Sequence, residues 1–119
     1  MTRLSESELI VAVENHLSRN RELKSLIQSK GVELEVPRPI DLHFWAFGEE
    51  AAANLAVALQ AEGYSLVSRN LSPRDPALWN VEAVVEASPL TVMAPLFIEK
   101  LVRLAADNDG EFDGWGTSI

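Results

Sequence analysis

Four side chains in this sequence have the types and spacing that acid–base or metal chemistry would need. They fall in three segments in which successive side chains would point to opposite faces of a strand. If those segments are neighbouring strands, alternation places all four side chains on a single sheet face: His43, Glu82, Glu111 and Asp113. An imidazole among carboxylates can hold a divalent metal ion, or supply an acid and a base for hydrolysis. Solvated carboxylates and a cross-strand hydrogen bond to the histidine explain the same pattern, so we expect no metal there.

Other catalytic signatures are missing from the sequence. There is no cysteine, and no Ser-His-Asp order, His-Glu-x-x-His helix, Walker loop or Gly-x-Gly-x-x-Gly turn occurs. The sequence therefore predicts a protein that is not an enzyme and that carries no cofactor.

Aromatic residues fall on the same predicted face. Alternation places Trp45, Phe47 and Trp115 there, as on the stacking platforms of RNA-recognition modules. Those platforms need basic neighbours, whereas the neighbours here are acids, which favours a protein partner presenting apolar and arginine side chains. The alternative is that amino-terminal helices cover this face and bury the tryptophans in the core. The predicted partner-binding residues are Asp41, His43, Trp45, Glu82, Glu111, Asp113 and Trp115.

Composition narrows the class of partner. The 119 residues are 47% hydrophobic and 24% charged, as in a single globular domain, and 18 acids against 10 bases give a net charge of -8. Such a chain is a poor ligand for phosphate backbones, and it meets a basic protein partner faster than a neutral chain would. We expect no direct binding of nucleic acid.

The amino-terminal sequence and the length of the apolar runs predict a location. Acids stand early in the chain where a secretory signal would have its apolar stretch, and no apolar run approaches the ~20 residues of a membrane span. We therefore expect a cytoplasmic protein without membrane contact.

The first 36 residues are predicted to be a helical extension. Ser5 and Glu8 have the spacing of a capping box, and apolar residues follow at helical intervals as far as Leu17. Residues 18–20 are expected to break this helix, and a second helix then runs to Gly31.

Residues 37–119 are predicted to form one compact unit. The pattern predicts strands at 40–47, 64–71, 79–87 and 111–119, helices at 49–62 and about 96–107, and a loop at 72–76. This order is that of an α+β, ferredoxin-like (βαββαβ) fold, with an antiparallel sheet in the order 4-1-3-2 and two helices on one face. The other face is left open.

Two glycines, Gly114 and Gly116, share one face of the last predicted strand. A bulge or the close approach of a helix explains glycines at such positions. A site at which a ligand approaches the bare main chain is the alternative.

Two stretches of the sequence resemble a known family. Leu104-Ala105 followed by Glu111-Phe112-Asp113-Gly114-Trp115-Gly116-Thr117 resembles the closing signature of the ribonuclease E activity regulator B family. The stretch from Pro37 to Phe47, and Gly63-Tyr64 after the alanine-rich helix, are similar to the same family. The resemblance covers roughly residues 37 to 119.

The resemblance implies a ferredoxin-like fold and a non-catalytic inhibitor. Its founding regulator binds the non-catalytic region of ribonuclease E and lowers RNA cleavage, so the implied partner of this chain is ribonuclease E. The alternatives are a general protein-interaction module, a homodimer formed through the open face, and a metal-dependent enzyme that uses His43 and the carboxylates beside it.

Overall fold

The computed structural model describes residues 5–75 and 77–118 and contains both helices and strands. The predictions that fall on residues 1–4, 76 and 119 lie outside this described part. In chain order the elements are α1 Glu6–Ser29, β1 Arg38–Phe47, α2 Glu49–Ala61, β2 Ser65–Leu71, β3 Leu78–Ala87, α3 Pro89–Met93, α4 Pro95–Asp107 and β4 Gly110–Gly116.

Helix α1 begins at the predicted capping box. The Ser5 hydroxyl accepts a hydrogen bond from the Glu8 amide at 3.2 Å, and the Glu8 carboxylate accepts one from the Ser5 amide at 2.9 Å. The predicted break at residues 18–20 is wrong, because α1 continues without interruption to Ser29. Serine, arginine and asparagine each cost a helix interior at most about 0.7 kcal/mol relative to alanine, which contacts with the rest of the fold offset.

The four strands form one antiparallel sheet in the order β2-β3-β1-β4. Read from the other edge this is the predicted order 4-1-3-2, and the α+β class is confirmed. Strand β1 is central, pairing with β3 from Arg38 to Phe47 and with β4 on its other side. Strands β2 and β4 are the two edges.

The core lies on one side of this sheet, here called the helix-covered side. Alternate residues of β1, from Ile40 to Ala46, are at most 1% exposed, as the alternation predicted. They pack with Leu55 of α2 and Leu101 of α4 in the same buried cluster, so both helices cover the same side. Burying one such side chain stabilises the fold by about 1.5–3 kcal/mol.

Prolines mark the starts of the last two helices. The Ser88 hydroxyl caps α3 by accepting from the Thr91 amide at 3.2 Å, with Pro89 in the first turn. Helix α4 begins at Pro95, where a missing amide hydrogen costs nothing. Within residues 5–75 and 77–118, every helix falls short of the length or apolar character required to cross a bilayer.

A β-bulge, one of the explanations that the sequence allowed for Gly114 and Gly116, interrupts the predicted alternation of β4. Phe44 lies opposite Phe112, but the preceding residue, His43, lies opposite Gly114. Asp113 is therefore an extra residue that is not paired with a residue of β1. One extra residue reverses the face of each side chain that follows it. Gly114 has a φ of 144°, a backbone conformation that L side chains rarely adopt.

Candidate functional site

Side chains of β1 and β3 form the exposed face of the sheet, on the side away from α2 and α4. Opposite partners in an antiparallel pair project to the same side, and the pairs here are Asp41 with Val84, His43 with Glu82 and Trp45 with Asn80. Glu111 of β4 joins them opposite Trp45. The predicted common placement of five site residues is therefore confirmed. The open face of the sheet consists of Asp41, His43, Trp45, Asn80, Glu82, Val84 and Glu111.

His43 and Glu82 form a cross-strand pair. The His43 Nδ1 lies 3.3 Å from a Glu82 carboxylate oxygen, and the two side chains are 40% and 52% exposed. Exposed pairs of this kind contribute roughly 0–1 kcal/mol to stability. The contact is a cross-strand hydrogen bond, which gives His43 a structural partner on the sheet surface.

The carboxylates of β4 do not complete a metal site around this pair. Glu111 stands opposite Trp45, and the exposed Asp113 is the bulge residue. Among the residues that the structure describes, no group of three or more histidine, aspartate and glutamate side chains is arranged to hold a metal ion.

The predicted position of Trp115 on the open face is wrong. Because the bulge at Asp113 reverses the alternation, Trp115 lies opposite Leu42 on the helix-covered side and is 9% exposed. Its indole N–H donates to the Asn20 side-chain oxygen at 2.9 Å. The alternative in which an amino-terminal helix buries a tryptophan therefore describes Trp115, whereas Trp45 stays half-buried on the open face.

Helix α1 lies along the free edge of β4 and bonds to the main chain at the bulge. Arg19 Nη2 donates to the Asp113 main-chain oxygen at 3.3 Å and to His16 Nδ1 at 2.9 Å. His16 Nδ1 is then an acceptor, so Nε2 carries the proton and donates it to the Phe112 oxygen at 2.9 Å. The His16 ring also packs on the Phe112 ring, with 4.7 Å between centroids.

This environment changes the protonation of His16. Burial lowers the pKa of its imidazole below the usual 6.5, and the neighbouring Arg19 cation lowers it further. The Phe112 carbonyl and the Asp113 carboxylate act in the opposite direction but are smaller influences. His16 is therefore neutral at pH 7, as its bond from Arg19 requires.

None of the patterns in the sequence identified His16, Arg19 or Asn20 as candidate site residues. One signal was present, because His16 and Asn20 occupy the same helical stripe as the apolar Leu9 and Ile27, where solvent-facing polar residues are not expected. A polar residue on a buried stripe needs a hydrogen-bond partner, and here the partners are on β4.

Fold and site together define an acidic α+β protein whose sheet is covered by helices on one side and exposes aromatic and acidic side chains on the other. Comparison with known proteins places it more closely: the chain belongs to the family described as Regulator of ribonuclease activity B, whose sequence model matches residues 17–117. It is 33% identical over 119 residues to the Regulator of ribonuclease activity B of Photobacterium profundum, an alignment that covers 96% of this chain and 86% of that protein. The family resemblance found in the sequence is confirmed.

Proposed function

We propose that this chain is a non-catalytic regulator that binds ribonuclease E through its open face and slows RNA cleavage. Membership of a family described as regulators of ribonuclease activity supports the role. The observation that supports this location of the binding site is the half-buried Trp45 on the open face, with Asp41 and Glu82 exposed on the same face. A tryptophan among carboxylates suits a partner that presents apolar and arginine side chains.

The proposed binding residues have different roles, according to whether they contact the partner directly. Asp41, His43, Trp45, Glu82 and Glu111 contact it on the open face. Asp113 contributes charge at the rim, while Trp115 acts from beneath by holding α1 against β4.

Both histidines of the chain have structural partners, which supports a non-catalytic role. His43 faces Glu82 on an exposed sheet surface, and His16 is buried between Arg19 and the Phe112 carbonyl. Among the residues that the structure describes, neither ring is hydrogen-bonded to a serine or threonine hydroxyl. Regulation by binding needs no such group.

We propose that the architecture is that of a ferredoxin-like domain. The strand order, the antiparallel pairing and the placement of α2 and α4 on one side of the sheet support that fold, with residues 1–36 as an extension and 37–119 as the domain. We place the protein in the cytoplasm, acting on its partner and not on RNA. A homodimer through the open face would oppose its own carboxylates, so a different partner is favoured.

A titration against two forms of ribonuclease E tests the proposal. The chain is expected to bind the full-length enzyme, and to bind the isolated catalytic domain far more weakly. The chain alone, mixed with RNA, is the control and is expected to leave it intact. Equal affinity for the two forms, or RNA cleavage by the chain that is lost in His43→Ala, would contradict the proposal.

A further inference from the structure

Three glycines of β4 differ in why the fold needs them. A Cβ on Gly110 would collide with the main-chain oxygen of Trp45, and Gly114 has a positive φ that other residues rarely adopt. Gly116 has neither constraint, since its φ is ordinary for any residue and a Cβ there would meet nothing within 4 Å. The described part of the chain therefore gives no internal reason for a glycine at 116.

Gly116 and Gly114 occupy successive positions on the exposed side of β4. Gly116 lies opposite Asp41 and Gly114 lies opposite His43. Without side chains at either position, the main chain of the edge strand forms the floor of a trough that β1 side chains border on one side. A bare strand of this kind admits close approach by another main chain.

A cleft adjoins this trough at Gly114. It has a volume of about 450 Å³ and lies between the carboxyl-terminal half of α1 and the β4 bulge. Leu23 and Leu26 line it from α1, with Trp115 and His43 lining it from the sheet. Leu26 is 49% exposed, an apolar surface at the cleft that nothing in the described fold covers.

The charges around the cleft indicate the sign of an occupant. The carboxylates of Glu22 and Asp113 line it, and Asp41 stands beside the trough. Arg19 also lines it, but its guanidinium is bonded to His16 and to the Asp113 main-chain oxygen. In a chain of net charge -8, these acids favour a cationic segment and disfavour RNA.

We propose that the cleft and the glycine trough together form a groove that receives an extended, arginine-containing segment of the protein partner. The inference deepens the proposed function and rests on it, because it assumes that the chain acts by binding a protein. The segment's main chain passes over Gly114 and Gly116. An arginine places its aliphatic stem against Leu23 and Leu26 and its guanidinium between Glu22 and Asp113.

Two synthetic octapeptides test the groove without requiring ribonuclease E. One alternates leucine with arginine, and the other alternates leucine with glutamate. Binding is followed by NMR through the amide signals of Gly114 and Gly116 and the indole N–H signal of Trp115. The arginine peptide is expected to shift these three signals saturably, and the glutamate peptide is expected to leave them unchanged.

Gly116→Val is the matched blocking variant. Its branched side chain suits a strand and its Cβ would meet nothing within 4 Å, so Tm should stay that of the wild type while the arginine peptide binds about tenfold more weakly or worse. Asn70→Val is the control, since it adds the same side chain at an exposed position of β2, the opposite edge of the sheet. Leu26→Ser, which removes apolar wall from an exposed helix position, supplies a second loss of binding if Gly116→Val fails to fold.

The outcomes separate the groove from the proposed function. Peptide binding that is lost in Gly116→Val or Leu26→Ser and kept in Asn70→Val supports the groove, even if ribonuclease E itself does not bind. Absence of the three shifts at millimolar arginine peptide, or equal binding to all variants, overturns the groove and leaves the ribonuclease E titration to judge the function.

Discussion

Tryptophans show at the scale of single residues how register decides the role of a side chain. Trp45 and Trp115 lie on adjacent antiparallel strands, yet one is half-buried on the open face and the other is buried on the helix-covered side. The single extra residue Asp113 is the reason why the two tryptophans lie on different sides of the sheet. An aromatic side chain stabilises the fold in one position and is available to a partner in the other.

Trp115→Ala is expected to lower the free energy of unfolding by about 3–5 kcal/mol, because it opens a cavity in the core and removes the donor to Asn20. Trp115→Phe, which keeps most of the packed area, should cost clearly less. Urea denaturation of both variants measures the difference. If Trp115→Ala unfolded at the same urea concentration as the wild type, the buried position of Trp115 would be refuted.

Trp45→Ala is expected to weaken binding to ribonuclease E by about 2 kcal/mol or more, as loss of an aromatic hot spot does, with little change in Tm. Leu96→Ala is the control, since Leu96 of α4 is 81% exposed and α4 covers the other side of the sheet. Isothermal calorimetry on the two variants provides the comparison. Equal affinities would show that Trp45 does not contact the partner.

The site residues that were placed correctly from sequence all lie where alternation is uninterrupted. Asp41, His43 and Trp45 follow the regular pairing of β1 with β3, which a period of two describes fully. Trp115 was misplaced because strict alternation was assumed through Gly114 and Gly116, although a bulge was one explanation of these glycines. His16 was missed because its contact with Phe112 joins residues far apart in the chain.

At the scale of elements, α1 protects an edge of the sheet. Edge strands present unpaired main-chain groups to other chains, and natural folds often cover them. Here His16 and Arg19 bond to the carbonyls of Phe112 and Asp113 on edge strand β4, while Asn20 holds Trp115. The predicted break of α1 at residues 18–20 would fall within this row of contacts and would separate His16 from Asn20.

Acid is expected to destabilise this junction through His16. Its folded pKa lies below its unfolded value near 6.5, so the unfolded chain binds more protons between the two values. The stabilisation is complete above about pH 6.5 and is lost as pH falls through the folded pKa. A cationic His16 would also face Arg19 and could no longer accept its bond, with only the smaller influences of the Phe112 carbonyl and the Asp113 carboxylate opposing this effect.

The measurement is the free energy of unfolding from pH 7.5 to 5 in the wild type and in His16→Gln, whose amide retains a donor for the Phe112 carbonyl. The difference between the two curves isolates His16 from the other titrating groups. The wild type should lose more stability than His16→Gln over this range. Parallel curves would show that His16 does not couple to folding.

Charge acts at the scale of the whole molecule. With a net charge of -8, the chain attracts a basic partner over distances longer than any single contact, and the effect weakens with salt. Glu82→Lys should therefore slow association and reduce its dependence on ionic strength. Glu14→Lys changes net charge equally at an exposed position of α1, and should affect the rate less. Identical association rates for both variants in stopped-flow measurements would remove Glu82 from the binding surface.

The proposed function depends most on whether the open face inhibits ribonuclease E. The direct measurement is the initial rate of RNA cleavage by the full-length enzyme with equal saturating amounts of wild type, Leu96→Ala or Trp45→Ala. The wild type and Leu96→Ala should slow cleavage to the same extent, while Trp45→Ala should slow it much less. A cleavage rate unchanged by the wild type, or lowered equally by all three proteins, would contradict the account.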